Sequence, residues 1–252
     1  MKYYETFLEL QCLSKKDIEE IAGSEATAES VIYFYLRKGL IERVKRDLYA
    51  VISLETRQPI ASRYHIASKL SADACISHHS AFEFYGYANQ VFYEVYVTST
   101  SRFRDFVYDG VSYHRMSPKG DGDVVTVGDV RVTSLERTVI DSIKDMERTG
   151  GLEELVRCLL LIPALDEERL LKALHAYELG LLYQKSGYVL SSLNDSLKLS
   201  PEFFEQCRKN SSDSRGYLAK ERNGYVLHPE WKLYAPANLQ QVISKGVDYD
   251  AV

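Results

Sequence analysis

Cysteine is scarce in this chain: Cys12, Cys75, Cys158 and Cys207 are the whole complement of 252 residues, and no two form a CxxC pair. That spacing indicates neither a zinc ribbon nor a disulfide framework, and a reducing cytoplasm is the expectation it favours. Long apolar runs are also missing. None approaches the roughly 20 residues needed to cross a bilayer, so no membrane partner is expected. The opening MKYYETFLEL has no h-region or small-residue cleavage site, so a secretory signal is not expected. There is no GxxxxGK[ST], no GxGxxG after a strand and no GxSxG elbow. Serine is abundant but has no recognisable base beside it. The sequence therefore gives no reason to expect a cofactor, a small-molecule substrate or an enzyme.

Positive charge is in the minority, with a formal net charge of -5, yet it is not evenly spread. The stretch RKGLIERVKRDLYAV, from Arg37 to Val51, carries five cations against two anions. Local charge decides whether a surface attracts phosphate. One tryptophan stands against 19 tyrosines, and tyrosine suits half-buried places with a wet tip, so extensive interfaces are expected.

The order of elements gives the basic stretch a context. Tyr4, Phe7 and Leu8 recur at helical spacing. Ser14 caps a second helix with Ile18, Ile21 and Ala22 on its inner face. Gly23 breaks that helix, and Ser24 caps a third that runs to about Lys38 and ends at Gly39. Beyond Gly39 the period changes: Leu40–Val44 and Leu48–Ile52 read as strands joined by Lys45-Arg46-Asp47. Three helices and a hairpin in this order predict a winged helix-turn-helix over residues 1–53, with Ile18, Ile32, Tyr35, Leu36 and Leu40 sharing one core. In such a module the third helix enters the major groove and the hairpin follows the backbone. The DNA-binding residues expected on that geometry are Thr27, Ser30, Tyr33, Arg37 and Lys38 on the helix, and Arg43, Lys45 and Arg46 on the hairpin. Arg37 is placed to read bases, since its fork matches guanine; the hairpin cations supply phosphate contacts. Glu25 and Glu29 are awkward there, because carboxylates repel phosphate.

The remainder, 54–252, reads as a mixed domain. Residues 54–145 alternate helix and strand, with turns at Asp109-Gly110, Lys119-Gly120 and Gly128-Asp129. Residues 146–252 read as helices ending in a hairpin, with Asn223-Gly224 as its turn. The fold class expected is therefore α+β. His78-His79 suggests a metal, but neighbouring histidines do not readily face one ion, so no metal is expected there. Asp121, Asp123 and Asp129 suggest a nuclease centre, but they sit in turns rather than on converging strands.

Taken together, GLIERVKRDLYAV, ISHHSAFEFYGY with VYVTST, VTSLERTVIDSI, and the terminal KSGYVLS and PEWKLYAP resemble the AbiEi antitoxin family of type IV toxin–antitoxin systems. The resemblance implies an N-terminal winged helix followed by a larger antitoxin domain. It implies that the first represses its own operon by binding double-stranded DNA at inverted repeats of the promoter. It implies that the second counters a nucleotidyltransferase-like toxin without a stable complex between the two. Arg37, Arg43, Lys45 and Arg46 match the family in type and place; Thr27, Ser30 and Tyr33 rest on helix geometry alone. Two other readings stay open: a protein-interaction module that docks through its winged helix, and a nuclease-like enzyme.

Overall fold

Ser14 shows how local chemistry sets the N-terminal elements. Its hydroxyl accepts from Asp17 N while its own amide donates to the Asp17 carboxylate at 2.7 Å, a reciprocal capping box that fixes where a helix starts. In the computed structural model, which describes residues 2–120, 123–220 and 223–244, that helix is α2 (Lys15–Ala22). It follows α1 (Tyr4–Leu10) and a short strand, β1 (Cys12–Ser14). Gly23 ends α2 at φ +83, where a side chain would be strained. Ser24 then caps α3 (Glu25–Arg37) through Thr27 N. The chain returns through β2 (Ile41–Lys45) and β3 (Leu48–Val51).

These three strands form one sheet in the order β1-β3-β2. Both pairings are antiparallel, with Cys12 opposite Ala50 and Ile41 opposite Val51, and the β2 register shifts between Arg43 and Lys45. Ile18, Ile32, Tyr35 and Leu40 share one buried cluster with Phe7, Leu13 and Tyr49, and Leu36 packs against it half-buried. The expected core is thus present. The strand β1 was not expected; three residues are too few to show a period of two.

The described chain divides into two compact units. One comprises Met1–Ile76, Tyr93–Ser117 and Thr126–Val132; the other comprises Ser77–Phe92, Pro118–Val125 and Thr133–Val252. Residues 1–53 therefore lie within a larger unit, which continues through α4 (Arg63–Ser68), β4 (Cys75–Ile76), β5 (Glu94–Thr98), β6 (Phe106–Tyr108) and β7 (Val111–Met116). With β8 (Val124–Val127) and β9 (Val130–Thr133) these strands make a mixed sheet in the order β6-β7-β5-β4-β9-β8. The Asp109-Gly110 and Gly128-Asp129 turns each join two neighbouring strands, as expected.

The second unit is mainly helical. It contains α5 (His78–Tyr85), α6 (Leu135–Lys144), α7 (Leu152–Leu161), α8 (Glu167–Tyr177), α9 (Gly180–Ser192), α10 (Asn194–Leu197), α11 (Pro201–Lys209) and α12 (Gln241–Ser244). Helix α6 packs against α5, α8 and α9, so its charged residues Glu136, Arg137 and Asp141 are buried and must be paired. The buried Arg137 guanidinium donates to Asp141 at 2.6 Å and to the Lys119 carbonyl, and Tyr177 donates to the same Asp141 oxygen at 2.6 Å. A last sheet, in the order β10-β12-β11, comprises β10 (Gly216–Tyr217), β11 (Tyr225–His228) and β12 (Leu233–Pro236). The hairpin there is β11–β12, turning through Pro229–Lys232, whereas β10 runs parallel to β12. Asn223-Gly224 is a turn but not the hairpin's turn, because the strands on either side of it do not pair. The fold is mixed α+β. No helix among the described residues is long and apolar enough to cross a membrane.

One close approach in the second unit joins two of the sequence segments singled out above. A Cβ built on Gly187 of α9 would collide with the six-membered ring of Trp231, which is 3% exposed. Gly→Ala inside a helix ordinarily stabilises by about 1 kcal/mol. Here overpacking reverses the sign, and Gly187→Ala is expected to destabilise by about 1–3 kcal/mol. A lower midpoint in urea unfolding at unchanged slope checks this; a raised midpoint would contradict it.

Candidate nucleic-acid interface

Helix α3 buries Ala28, Ile32 and Tyr35 and presents the opposite side to solvent. Thr27, Ser30, Tyr33, Phe34 and Arg37 are all exposed, and at 3.6 residues per turn they fall within roughly a third of the helix circumference. From Thr27 to Arg37 that stripe is about 15 Å long at 1.5 Å per residue, comparable with the ~12 Å width of the major groove. The two hydroxyls have internal bonds. Thr27 Oγ1 lies 2.8 Å from Ser24 Oγ, and Ser30 donates to the Ala26 carbonyl at 3.1 Å. Ser30, whose O–H is spent on that carbonyl, keeps free lone pairs and meets a partner more readily as an acceptor. Lys38, at the helix end, places its ammonium 5.8 Å from the Phe34 ring centre.

The acids on α3 are occupied. Lys15 Nζ lies 2.8 Å from Glu25, 3.3 Å from Glu29 and 3.5 Å from Glu19. Its hydrogen bond holds the Glu25 carboxyl below its ordinary range. The sequence contains both carboxylates and the lysine, but not their meeting, which depends on how α2 crosses α3.

On the hairpin, the three cations differ in placement. Arg46 stands at the two-residue turn with its side chain 94% exposed, 3.4 Å from Asp47. Asp47 takes φ +60, and its carbonyl accepts from Lys15 N at 2.9 Å, which fastens the turn to the start of α2. Arg43 is exposed, with its guanidinium 5.7 Å from the Tyr49 ring centre. Lys45 does not project from an open tip. Its ammonium sits 4.8 Å from the Phe103 ring centre and 5.8 Å from that of Phe106, and desolvation lowers its pKa. The reason is tertiary: β6 and the segment before it come up against the hairpin within the same unit. Lys45 thus serves as a joint, a role that no pattern around residue 45 shows.

Other clusters considered from sequence have different surroundings. Asp121 lies outside the described residues. Asp123 accepts from Ser134 Oγ at 2.6 Å and from Arg169 at 3.1 Å, and so ties α6 to α8. Asp129 is 78% exposed on its turn, 3.7 Å from His65. His79 belongs to a group that the sequence did not reveal. With Glu154 and Cys158 it offers ligand atoms that lie within 4.8 Å of one another, all buried. Glu154 Oε1 is 3.1 Å from His79 Nε2 and also accepts from Asn89 N, Gln90 N and the Cys158 thiol. Burial pushes that thiol's pKa upward, which keeps it protonated and donating to Glu154. The physical role of the cluster is to hold the 89–90 segment against α7.

Removing that carboxylate takes away the partner of His79 Nε2, leaving the imidazole only Glu83 at 3.1 Å, and strips two backbone amides of their acceptor. Glu154→Ala is expected to cost about 3–5 kcal/mol, and Glu154→Gln, which keeps an acceptor, markedly less. Denaturant titration of the two variants checks the order. The cluster is also expected to hold no stoichiometric zinc after dialysis, which metal analysis tests.

No protein-family model matches the chain, and no curated protein matches its sequence. Among solved structures, it is similar to the crystal structure of the RV2827C protein from Mycobacterium tuberculosis. The TM-score is 0.64 at 16% identity, over 97% of this chain and 93% of that one. At that identity the likeness shows the fold, and the mixed α+β architecture runs through nearly the whole length of both chains.

Proposed function

We propose that this chain is a DNA-binding transcriptional regulator whose residues 1–53 act as a winged helix-turn-helix. Helix α3 enters the major groove of double-stranded DNA, and the β2–β3 hairpin is the wing. The observation that carries the reading is the exposed α3 stripe ending in Arg37, with Arg43 and Arg46 on the adjoining hairpin and Glu25 and Glu29 drawn off by Lys15. In that arrangement Arg37 and Tyr33 face base edges, while Arg43 and Arg46 face phosphates. Lys45 contributes through its charge and by holding the hairpin in place.

The biological setting proposed is that of an AbiEi-type antitoxin, which represses its own operon and opposes a nucleotidyltransferase-like toxin. It rests on the sequence segments that resemble that family. A second reading is favoured by one observation: Tyr33 and Phe34, 67% and 46% exposed, give α3 an aromatic surface. An interaction module would use that surface to dock a protein.

Salt titrations of binding to the chain's own upstream DNA and to a scrambled duplex separate these readings. Arg37→Ala is expected to cost about 1–3 kcal/mol on the upstream fragment and much less on scrambled DNA. Arg46→Ala should weaken both alike and reduce the salt slope by about 0.9. Absence of DNA binding by the wild type at low salt would sink the regulator reading and leave the docking one.

A further inference from the structure

The Lys45 joint points beyond the wing. The aromatic ring beneath its ammonium belongs to Phe103, within the segment Ser99-Thr100-Ser101-Arg102-Phe103-Arg104-Asp105. Phe103 is half-buried, whereas Arg102 and Arg104 on either side are exposed. Neither arginine has a hydrogen bond or ion pair with another described residue. Consecutive Cα atoms are about 3.8 Å apart, so both guanidinium stems begin one residue from a ring that touches the wing.

The loop is also built in advance. Asp73 accepts from Thr100 N at 2.5 Å, Thr100 Oγ1 at 2.6 Å and Ser99 Oγ at 2.8 Å. Burial alone would raise the pKa of this carboxyl, but the hydrogen bonds from Thr100, Ser71 and Ser99 outweigh it and hold the group well below its ordinary range. From the other side, Arg115 donates to the Ser101 and Ser99 carbonyls at 2.9 and 3.1 Å, and its amide donates to Asp105 at 3.1 Å. Such anchoring spends the loop's ordering entropy before any partner arrives. Two unpaired guanidinium groups on an anchored loop suit fixed anions. Duplex DNA supplies these at about one charge per 1.7 Å of helix axis.

We infer that the loop from Ser99 to Asp105 is a second phosphate clamp, with Arg102 and Arg104 gripping the DNA backbone beyond the stretch reached by the wing. This rests on the DNA-binding reading above. The clamp supplies affinity and footprint length, not sequence choice, because phosphate contacts carry no base information.

The test uses the full chain, with the upstream duplex and a scrambled duplex of equal length, titrated from 50 to 200 mM salt. Variants are Arg102→Ala/Arg104→Ala together, and Arg46→Ala as the wing control; matching thermal melts confirm that each is folded. The double variant is expected to lower the slope of log K against log salt by about two, at 0.9 per phosphate contact. Its preference for one duplex over the other should be unchanged, and its hydroxyl-radical footprint should shorten at one end. A wild-type slope in the double variant, while Arg46→Ala weakens binding, would overturn the clamp and leave the regulator reading standing. A changed preference between duplexes would also overturn it, since the loop would then be reading bases. No binding by the wild type overturns both. Asp73→Ala adds a test of sign. Removing an anion should tighten DNA binding by charge alone, whereas loss of the pre-built loop should weaken it; unchanged or tighter binding would refute the anchoring.

Discussion

Lys15 is the residue on which the N-terminal surface depends. Its amide donates to the Asp47 carbonyl at the hairpin turn, and its ammonium lies within 3.5 Å of Glu19, Glu25 and Glu29. One residue thus ties the start of α2 to the tip of the hairpin and offsets part of the charge of the first turns of α3. The consequence is electrostatic more than energetic. Exposed ion pairs contribute about 0–1 kcal/mol each, and the carboxylates here are largely exposed. A bare carboxylate on the leading face of a groove-binding helix would, in contrast, repel every phosphate it approached. Lys15 offsets one of the two negative charges that Glu25 and Glu29 bring to the helix start, and the positive charge of the surface is left to Arg37, Arg43 and Arg46.

The parts of this fold legible in sequence are those decided within a few residues. Ser14 and Ser24 as caps, Gly23 and Gly39 as stops, and the change of period after Gly39 mark out two helices and a hairpin, because each depends on hydrogen bonds spanning three or four residues. What escaped notice was tertiary. Strand β1 exists because Cys12–Ser14 finds β3, not because of its own pattern. The Asn223-Gly224 turn has the right local chemistry for a hairpin, but Tyr225–His228 pairs forward with β12 instead. Gly187 and Trp231, or His79 and Glu154, are separated by tens of residues and carry no mark of their meeting.

The placement of Lys45 shows how such a miss changes a functional reading. From sequence it is one of three equivalent cations at a hairpin. Against Phe103 and Phe106 it becomes a half-buried contact between the hairpin and the strands that follow. A cation held over aromatic rings contributes about 0.5–1 kcal/mol where exposed, and more as water is removed. That contact is the reason to regard the hairpin as continuous with the 99–105 segment. The basic surface is therefore broader than the stretch from Arg37 to Val51 suggested.

A chain of net charge -5 can present such a surface because charge acts locally. At physiological ionic strength the Debye length is about 8 Å, so acids on the far side of a molecule scarcely affect a phosphate in contact with Arg43 or Arg46. The acids that do matter are close neighbours. Glu25 and Glu29 are paired with Lys15, Asp47 lies beside Arg46, and Glu42 is exposed on the same strand as Arg43. Few cations then remain uncompensated within one screening length of DNA. Each phosphate contact adds about 0.9 to the salt slope, so on the proposed reading this surface, with few contacts in total, should bind with only a modest salt dependence. On the proposed DNA-binding reading, such a protein would gain little from non-specific attraction, and its occupancy of a site would come mainly from α3.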